Sequence, residues 1–210
     1  MNFVDWTFIG SGAKVTLELL FGGLSIGVPL SIILVILKRK NLGTWLINPY
    51  ISIIRGTPLI LQLSLIYFAS PGILGIKFTV LEAGIIAFAL NNSAYMAEIL
   101  RAGVDSVPKG QFEAAETLKI STFYTWKDII LPQVLANILP AFTNEIITLL
   151  KETALIATIG GADIMRKSQM LAAEQFTYFA PLCIAGFLYY ILAVLVEFLA
   201  KKLEKKIHHA

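Results

Sequence analysis

The chain has 210 residues, of which 57% are hydrophobic and only 15% are charged, and its formal net charge is +3. A soluble domain carries about 25% charged residues, so this composition excludes an ordinary soluble enzyme and indicates an integral membrane protein. The sequence pI of about 8.9 requires no nucleic acid as a partner, because basic residues beside membrane helices bind anionic lipid headgroups. We therefore expect contact with a lipid bilayer and none with nucleic acid.

Five apolar segments are long enough, or nearly so, to cross a hydrocarbon core that needs about 20 residues per helix. They are Val15 to Leu37, roughly Pro58 to Ile76, Val80 to Leu100, Ile130 to Leu150 and Phe179 to Leu199. These segments are continuously apolar, whereas strands of a membrane barrel alternate every second residue. They predict an all-α polytopic membrane bundle of five transmembrane helices, with residues 1–210 forming a single domain.

The second apolar segment is preceded by Arg55-Gly56-Thr57-Pro58. Glycine and proline disfavour a continuous helix at this point. The pattern therefore predicts a break before the second span, with Gly56 and Pro58 as a hinge.

Polar and ionisable residues recur at helical spacing on the third and fourth segments. Such groups cost about 2.5–3.5 kcal/mol at the centre of a membrane helix, so those that persist usually face a protein interior or a pathway. We predict a polar path for a small molecule that carries both an ammonium and a carboxylate group. Its residues are Asn91, Tyr95, Glu98 and Arg101 on the third segment and Asn144, Glu145 and Thr148 on the fourth. The alternative is structural, with Glu98 and Arg101 forming a local ion pair and Asn144 bridging helices.

A polar, helix-prone loop, about residues 103–131, separates the third and fourth segments. Its composition predicts one helix from Pro108 to Thr117 and a second short helix, capped by Ser121, that runs toward Pro132. Two short helices with a bend between them form a compact knob. Such a knob would present the small side chains of Ala114 and Ala115 to a partner and expose three apolar residues, Leu118, Phe123 and Trp126.

The order of residues in this loop resembles the "EAA" loop of permease subunits in binding-protein-dependent ABC importers. The matching residues are Glu113-Ala114-Ala115, Lys119 and Ile129-Ile130-Leu131-Pro132. Further segments resemble the polar amino-acid subfamily, of the glutamine/histidine type: Arg55 to Leu59, Ala94 to Gly103, and Asn144 to Leu155. The similarity runs from about Pro49 to Ile159 in family order and spacing.

The resemblance implies the fold of a type I ABC importer permease, which forms a homodimer or heterodimer with a second permease subunit around a central path. It also implies that the loop contacts separate ATPase subunits and that an external solute-binding protein delivers a polar amino acid, glutamine being mildly favoured. The residues implied in coupling to the ATPase are Gln111, Glu113, Ala114, Ala115, Leu118, Lys119 and Pro132. The chain itself would transmit force and catalyse no reaction.

Lys119 departs from the family pattern, which usually has glycine at the bend after Glu-Ala-Ala. A lysine held in the left-handed conformation costs about 1 kcal/mol relative to glycine. We predict that the bend is retained, with Lys119 either in a different backbone region or slightly strained.

Several chemical motifs do not occur in the sequence. It contains no Gly-x-x-x-x-Gly-Lys-Ser/Thr phosphate loop, so ATP hydrolysis is expected on a separate subunit. The two histidines, His208 and His209, have no neighbouring cysteine or carboxylate ligands, so we expect no metal site and no bound cofactor. Neither a nucleophile elbow nor a zinc-protease motif occurs, and we expect no enzymatic activity.

The distribution of basic residues predicts the orientation of the helices by the positive-inside rule. The five predicted spans divide the 17 lysine and arginine residues between the two sides of the membrane. The side of the amino terminus has the smaller number, namely Lys14, Lys77, Lys151, Arg166 and Lys167. The amino terminus is therefore expected outside, and the loop and the carboxyl terminus in the cytoplasm, in the inner membrane. The alternative functions are an ion-gradient-driven secondary transporter or channel subunit, and a non-transporting assembly subunit.

Overall fold

The structure is a computed structural model that describes residues 3–208 and the side chains of residues 5–205; His209 lies outside these ranges. The described chain is built from helices, in this order: α1 (Phe3–Gly10), α2 (Ala13–Arg39), α3 (Thr44–Gly56), α4 (Leu59–Ser64), α5 (Ser70–Leu74), α6 (Val80–Asp105), α7 (Lys109–Thr117), α8 (Thr122–Tyr124), α9 (Leu131–Glu152), α10 (Ile164–Glu174) and α11 (Phe179–His208). A π-helical turn at Leu65–Ala69 joins α4 to α5, another at Thr125–Ile130 joins α8 to α9, and a 3₁₀ helix at Thr153–Ile159 follows α9.

Four helical runs in the described part of the chain are long and apolar enough to cross a membrane: Asp5–Arg39, Val80–Asp105, Thr122–Ile159 and Phe179–Lys205. Thr44–Gly56 and Leu59–Leu74 form a pair bent by 106°, which makes a fifth span if the two parts are counted as one. The predicted all-α membrane bundle is confirmed. The predicted second span corresponds to the part that begins at Leu59.

The break before the second span falls where glycine and proline predict it. Gly56 is the last residue of α3, and the backbone of Thr57 is extended, with φ −115° and ψ 145°. Pro58 is also extended, with φ −61° and ψ 133°, and α4 begins at the next residue. Proline restricts the residue before it to such extended conformations, so the chain turns sharply between α3 and α4.

The core of the bundle lies where α2 crosses α6. Gly23, Gly27 and Ser31 are buried along α2, and a Cβ atom at Gly27 would lie 2.7 Å from Oδ1 of Asn92 and 2.9 Å from the carbonyl oxygen of Ala89. Small residues let two membrane helices approach closely, which increases the dispersion contacts between them. Gly23 and Gly27 therefore serve packing of α2 against α6 within the chain.

The start of α6 is set by a capping box. The hydroxyl of Thr79 accepts from the backbone N–H of Glu82 at 3.2 Å, and the Glu82 carboxylate accepts from the Thr79 N–H at 2.8 Å. These two bonds satisfy amides that would otherwise lack partners in the first turn. They place the beginning of the third span at Val80, as predicted.

The bend in the loop is retained, and Lys119 adopts the strained conformation. α7 ends at Thr117, and Lys119 has a φ of +54°. Its N–H donates to the carbonyl oxygen of Glu116 at 2.9 Å, and the N–H of Ile120 donates to that of Ala115 at 3.0 Å. This pair of bonds is a Schellman motif, which needs its residue in the left-handed region and usually has glycine there.

The second helix of the loop is not a separate short helix. From Thr122 the chain stays helical through the π turn at Thr125–Ile130 into α9, so the fourth span begins earlier than the predicted Ile130. Pro132 lies in the first turn of α9, where its ring has no N–H to donate and crowds the preceding turn. A π turn widens the helix at that point, and the helix continues without a break.

Candidate functional site

The most highly charged part of the described chain lies where α2, α3 and α6 meet. Glu98 accepts two hydrogen bonds from Arg101, from Nε at 3.0 Å and from Nη2 at 2.9 Å. Its carboxylate also lies 3.5 Å from Nζ of Lys38 and 3.8 Å from Nη1 of Arg55. One carboxylate therefore joins cations from three different helices, which is more than the predicted local pair of Glu98 and Arg101.

A second carboxylate extends this cluster toward the loop. Asp105 accepts from Nη1 of Arg101 at 2.8 Å and from Nη2 of Arg39 at 3.4 Å. The guanidinium of Arg39 lies over the ring of Trp126, 5.4 Å from its centroid. Trp126 in turn makes an edge contact with Phe112 of α7, with ring centroids 6.0 Å apart.

Next to Glu98, a cavity of about 730 Å³ opens between α3, α6 and α9. Its polar lining includes Arg55, Tyr95, Glu98, Arg101 and Asn137. The hydroxyl of Tyr95 donates to the carbonyl oxygen of Arg55 at 3.4 Å, and the Arg55 guanidinium lies over the Tyr95 ring at 5.3 Å. The structure thus brings three of the predicted path residues, Tyr95, Glu98 and Arg101, to one cavity.

Asn91 faces the bend before the second span. It is 4% exposed, and its amide donates to Oε1 of Gln62 at 3.4 Å. The amide nitrogen of Gln62 donates to the carbonyl oxygens of Ile54 at 2.8 Å and Thr57 at 3.2 Å. Gln62 therefore bridges the two sides of the break to α6. Gln62 was not predicted from the sequence, although a glutamine four positions after Pro58 in an apolar run was a signal for it.

Glu145 lies beside the buried Asn92, which was not predicted from the sequence. Asn92 is fully buried, and neither atom of its side-chain amide has a hydrogen-bond partner among the described residues. Glu145, on α9, is the carboxylate next to this amide. Glu145 and Asn92 form a second polar pair, and neither is among the residues that line the cavity at Glu98.

Asn144 and Thr148 are not among the residues that line the cavity at Glu98. Asn144 lines a smaller cavity of about 180 Å³ with Glu197, Lys201 and Glu204 of α11, and Thr148 is half-buried along α9. Adjacent residues on a helix point in different directions, about 100° apart, so Asn144 and Glu145 face different neighbours.

The loop exposes most of its predicted partner-binding residues. Leu118 is 72% exposed and Phe123 is 67% exposed; the other exposed members of the set are Gln111, Glu113, Ala114, Lys119 and Pro132. Two expectations are wrong. Ala115 is only 2% exposed, because it lies on the inner face of α7 with Phe112, and Trp126 is half-buried against Phe112 and Arg39.

At the opposite end of the bundle, Asp163 caps α10. It is buried and accepts from the N–H groups of Met165 and Arg166 and from the hydroxyl of Tyr189, the last at 2.7 Å. Burial raises the pKa of the Asp163 carboxyl above its ordinary value, while these hydrogen bonds act in the opposite direction. Its contacts fix α10 on α11. Residues 3–208 contain no group of three potential metal ligands.

Comparison with known proteins extends the resemblance beyond the matched motifs to nearly the whole chain. A family model described as the binding-protein-dependent transport system inner membrane component matches residues 27–209. A protein of Rickettsia conorii (strain ATCC VR-613 / Malish 7), named as a glutamine transport system permease, is 50% identical over 201 residues, covering 95% of this chain and 92% of the relative. The arginine transport system permease of Bacillus subtilis (strain 168) is 40% identical over 202 residues, with coverage of 95% and 92%.

A solved structure also matches along its whole length. It is described as a crystal structure of an amino acid ABC transporter with histidines, and it superposes with a TM-score of 0.88 at 34% identity. The match covers 98% of this chain and 99% of the solved chain.

Proposed function

Because the chain belongs to the family of binding-protein-dependent transport system inner membrane components, we propose that it forms the membrane path for a polar amino acid, with glutamine the favoured substrate. The chain is a permease subunit of an ABC importer, and ATP hydrolysis takes place on separate ATPase subunits. The observation that carries the substrate class is the 50% identity to a permease named for glutamine together with 40% to one named for arginine. Both are polar amino acids.

The proposed path starts from the cavity beside Glu98. Its lining combines two arginines, one glutamate and one tyrosine in a chain that is 57% hydrophobic. Arginine binds a carboxylate in a planar, bidentate manner, and a glutamate or a tyrosine ring can bind an ammonium group. We assign Tyr95, Glu98 and Arg101 to this cavity and place Asn91 and Glu145 deeper along the path. Asn144 and Thr148 stay predictions from the sequence.

The proposed assembly has two permease subunits, either identical or related, two ATPase subunits and an external solute-binding protein. The loop, residues 103–131, would contact the ATPase through its exposed residues, and Gly56 and Pro58 would serve as the hinge. We place the amino terminus outside and the loop and carboxyl terminus in the cytoplasm, from the distribution of basic residues.

Uptake by the reconstituted system tests the function. The permease is incorporated into proteoliposomes with its ATPase, a binding protein is added outside, and radiolabelled glutamine is measured inside. We expect uptake that requires both ATP and the binding protein. Uptake that needs neither, and that stops when ion gradients are collapsed, would contradict the proposal and support a secondary transporter.

A second experiment tests the contact with the ATPase. Ala114→Trp places a large ring on the exposed face of α7, so we expect the ATPase to be lost on co-purification. The matched control is Ala173→Trp, on an exposed position of α10 at the opposite end of the bundle, which should leave co-purification unchanged. Equal retention of the ATPase in both variants would remove Ala114 from the contact.

A further inference from the structure

The loop and the cavity beside Glu98 are joined by an unbroken series of charged contacts. We call this series, formed by Trp126, Arg39, Asp105, Arg101, Glu98 and Arg55, the ionic chain. It begins at Trp126, whose ring contacts Phe112 of α7 and the guanidinium of Arg39. Any displacement of the loop at Trp126 therefore acts directly on the last residue of α2.

Arg39 links Trp126 to α6. Its Nη2 lies 3.4 Å from Oδ1 of Asp105, whose other oxygen accepts from Arg101 at 2.8 Å. Arg101 donates two further hydrogen bonds to Glu98, at 2.9 Å and 3.0 Å. A guanidinium is planar and carries its donors in fixed directions, so Arg101 holds Asp105 and Glu98 in a fixed relation.

The ionic chain ends at the hinge. Glu98 lies 3.8 Å from Nη1 of Arg55, and Arg55 precedes the extended residue Thr57 by two positions. The ring and hydroxyl of Tyr95 contact the guanidinium and the carbonyl oxygen of Arg55. Arg55, at the end of the ionic chain, therefore lies both beside the break before the second span and in the lining of the cavity.

These contacts contribute little to stability. The side chains of Arg39 and Asp105 are 40% and 52% exposed, and ion pairs exposed to this degree stabilise a protein only weakly because solvent screens them. Stability does not explain why these contacts run from the loop to the hinge, so their position requires another explanation.

We propose that Arg39 is a positioning residue for coupling: it joins the loop at Trp126 to the ionic chain, so that movement of the loop changes the position of Arg55 at the hinge. This rests on the proposed function, since it assumes that the loop is moved by an ATPase. Arg39 contacts neither substrate nor nucleotide in this role. It acts through Trp126 and Asp105.

Transport per ATP hydrolysed tests this role in the reconstituted complex. Arg39→Gln removes both contacts, and we expect glutamine uptake per ATP hydrolysed to fall by roughly 2- to 30-fold, the range for residues that carry coupling, with assembly retained. Lys40→Gln removes the same charge from the adjacent exposed residue, whose side chain makes no ion pair or hydrogen bond with the side chains at 5–205, and should leave the ratio unchanged. Equal ratios in the two variants would overturn the proposal.

Two further variants separate positioning from a general loss of charge. Arg39→Lys keeps the ion pair with Asp105 but lacks the planar group that lies on Trp126, so it should recover part of the ratio. Trp126→Leu removes the contact on the loop side, and Arg39→Gln added to it should cause less further loss than it does alone. Full additivity of the two substitutions would show that Arg39 does not act through Trp126.

A distance measurement gives a readout that does not need transport. Spin labels at Ser52→Cys on α3 and Glu116→Cys on α7, both exposed, are introduced with Cys183→Ser. We expect the distance distribution to broaden in Arg39→Gln and to stay narrow in Lys40→Gln. Unchanged distributions would overturn the role of Arg39. Absence of glutamine uptake by the wild type would instead overturn the proposed function. The distance measurement would then still decide whether Arg39 links the loop to α3.

Discussion

At the scale of single residues, Lys119 shows that the surrounding chain can impose a conformation that the residue itself disfavours. The two hydrogen bonds that end α7, made by the N–H groups of Lys119 and Ile120, require a left-handed residue at position 119. In this conformation the Cβ atom of a lysine lies too close to the neighbouring carbonyl oxygen, which costs free energy. The local sequence therefore carries a small strain at the centre of the loop.

Lys119→Gly should relieve this strain and stabilise the loop by about 1 kcal/mol. Hydrogen exchange of the amides of Lys119 and Ile120 measures the change, and we expect slower exchange. The control is Lys109→Gly, which replaces a lysine in the first turn of α7 and should destabilise that helix by up to about 1 kcal/mol. Slower exchange in the control, or faster exchange in Lys119→Gly, would contradict this explanation.

Gly103 offers a second prediction at this scale. A Cβ atom there would overlap Cγ2 of Ile138, where α6 crosses α9. Overpacking of this kind exceeds the gain in helix propensity, so Gly103→Ala should lower the free energy of unfolding by about 1–2 kcal/mol. Gly110→Ala, where a Cβ atom meets nothing within 4 Å, should raise it. Thermal unfolding in detergent measures both, and equal shifts would refute the close approach.

At the scale of elements, the bend before the second span combines a local cause with a tertiary one. Gly56 and Pro58 explain why α3 ends, but they do not determine the angle of 106° between the two parts. The side chain of Gln62, on α4, binds Ile54 and Thr57 before the break and Asn91 of α6. These contacts hold α3 and α4 in one arrangement against α6.

Gln62→Leu should therefore loosen the bend. It leaves the carbonyl oxygens of Ile54 and Thr57 without their side-chain donor, at a cost of about 1–3 kcal/mol. For a chain of this length this corresponds to a fall in Tm of roughly 2–4 °C per kcal/mol. Gln111→Leu, at an exposed position of α7, is the matched control and should change Tm little. Equal Tm values for the two variants would show that the Gln62 contacts do not stabilise the bend.

The helices of the spans were predictable from sequence, whereas α3 and α10 were not. Long apolar runs determine the spans, because the membrane requires continuous apolar helices. α3 contains Pro49 and buries only Ile47 and Ile51, and α10 depends on the Asp163 cap and its contact with Tyr189. The prediction that α7 exposes Ala115 was wrong because burial depends on which face of α7 packs on the bundle, and the loop sequence alone does not determine that face.

At the scale of the whole molecule, the bundle has two different ends. One end carries the ionic chain and the loop, and the other carries α10 and the exposed aromatic residues Phe176, Tyr178 and Phe179. Our orientation places the first end in the cytoplasm. The basic residues of α2 and α3 that pair with Glu98 and Asp105 belong to the group that the positive-inside rule places there.

Labelling with a membrane-impermeant maleimide tests this orientation. In a Cys183→Ser background, Phe176→Cys should react in spheroplasts, whereas Leu42→Cys should react only after the membrane is opened; both native side chains are exposed, at 95% and 54%. Reaction of Leu42→Cys in sealed spheroplasts, with Phe176→Cys protected, would reverse the orientation.

Composition and the order of neighbouring residues were enough to predict the membrane class, the five apolar segments, the break at Gly56 and Pro58 and the family resemblance. Which polar residues meet became clear only from the folded bundle. Glu98 joins cations from three helices, Asn91 binds Gln62, and Asn144 lines a cavity with residues of α11. The physical reason is that a side chain's direction is set by its helix, but its partners are set by how the helices cross.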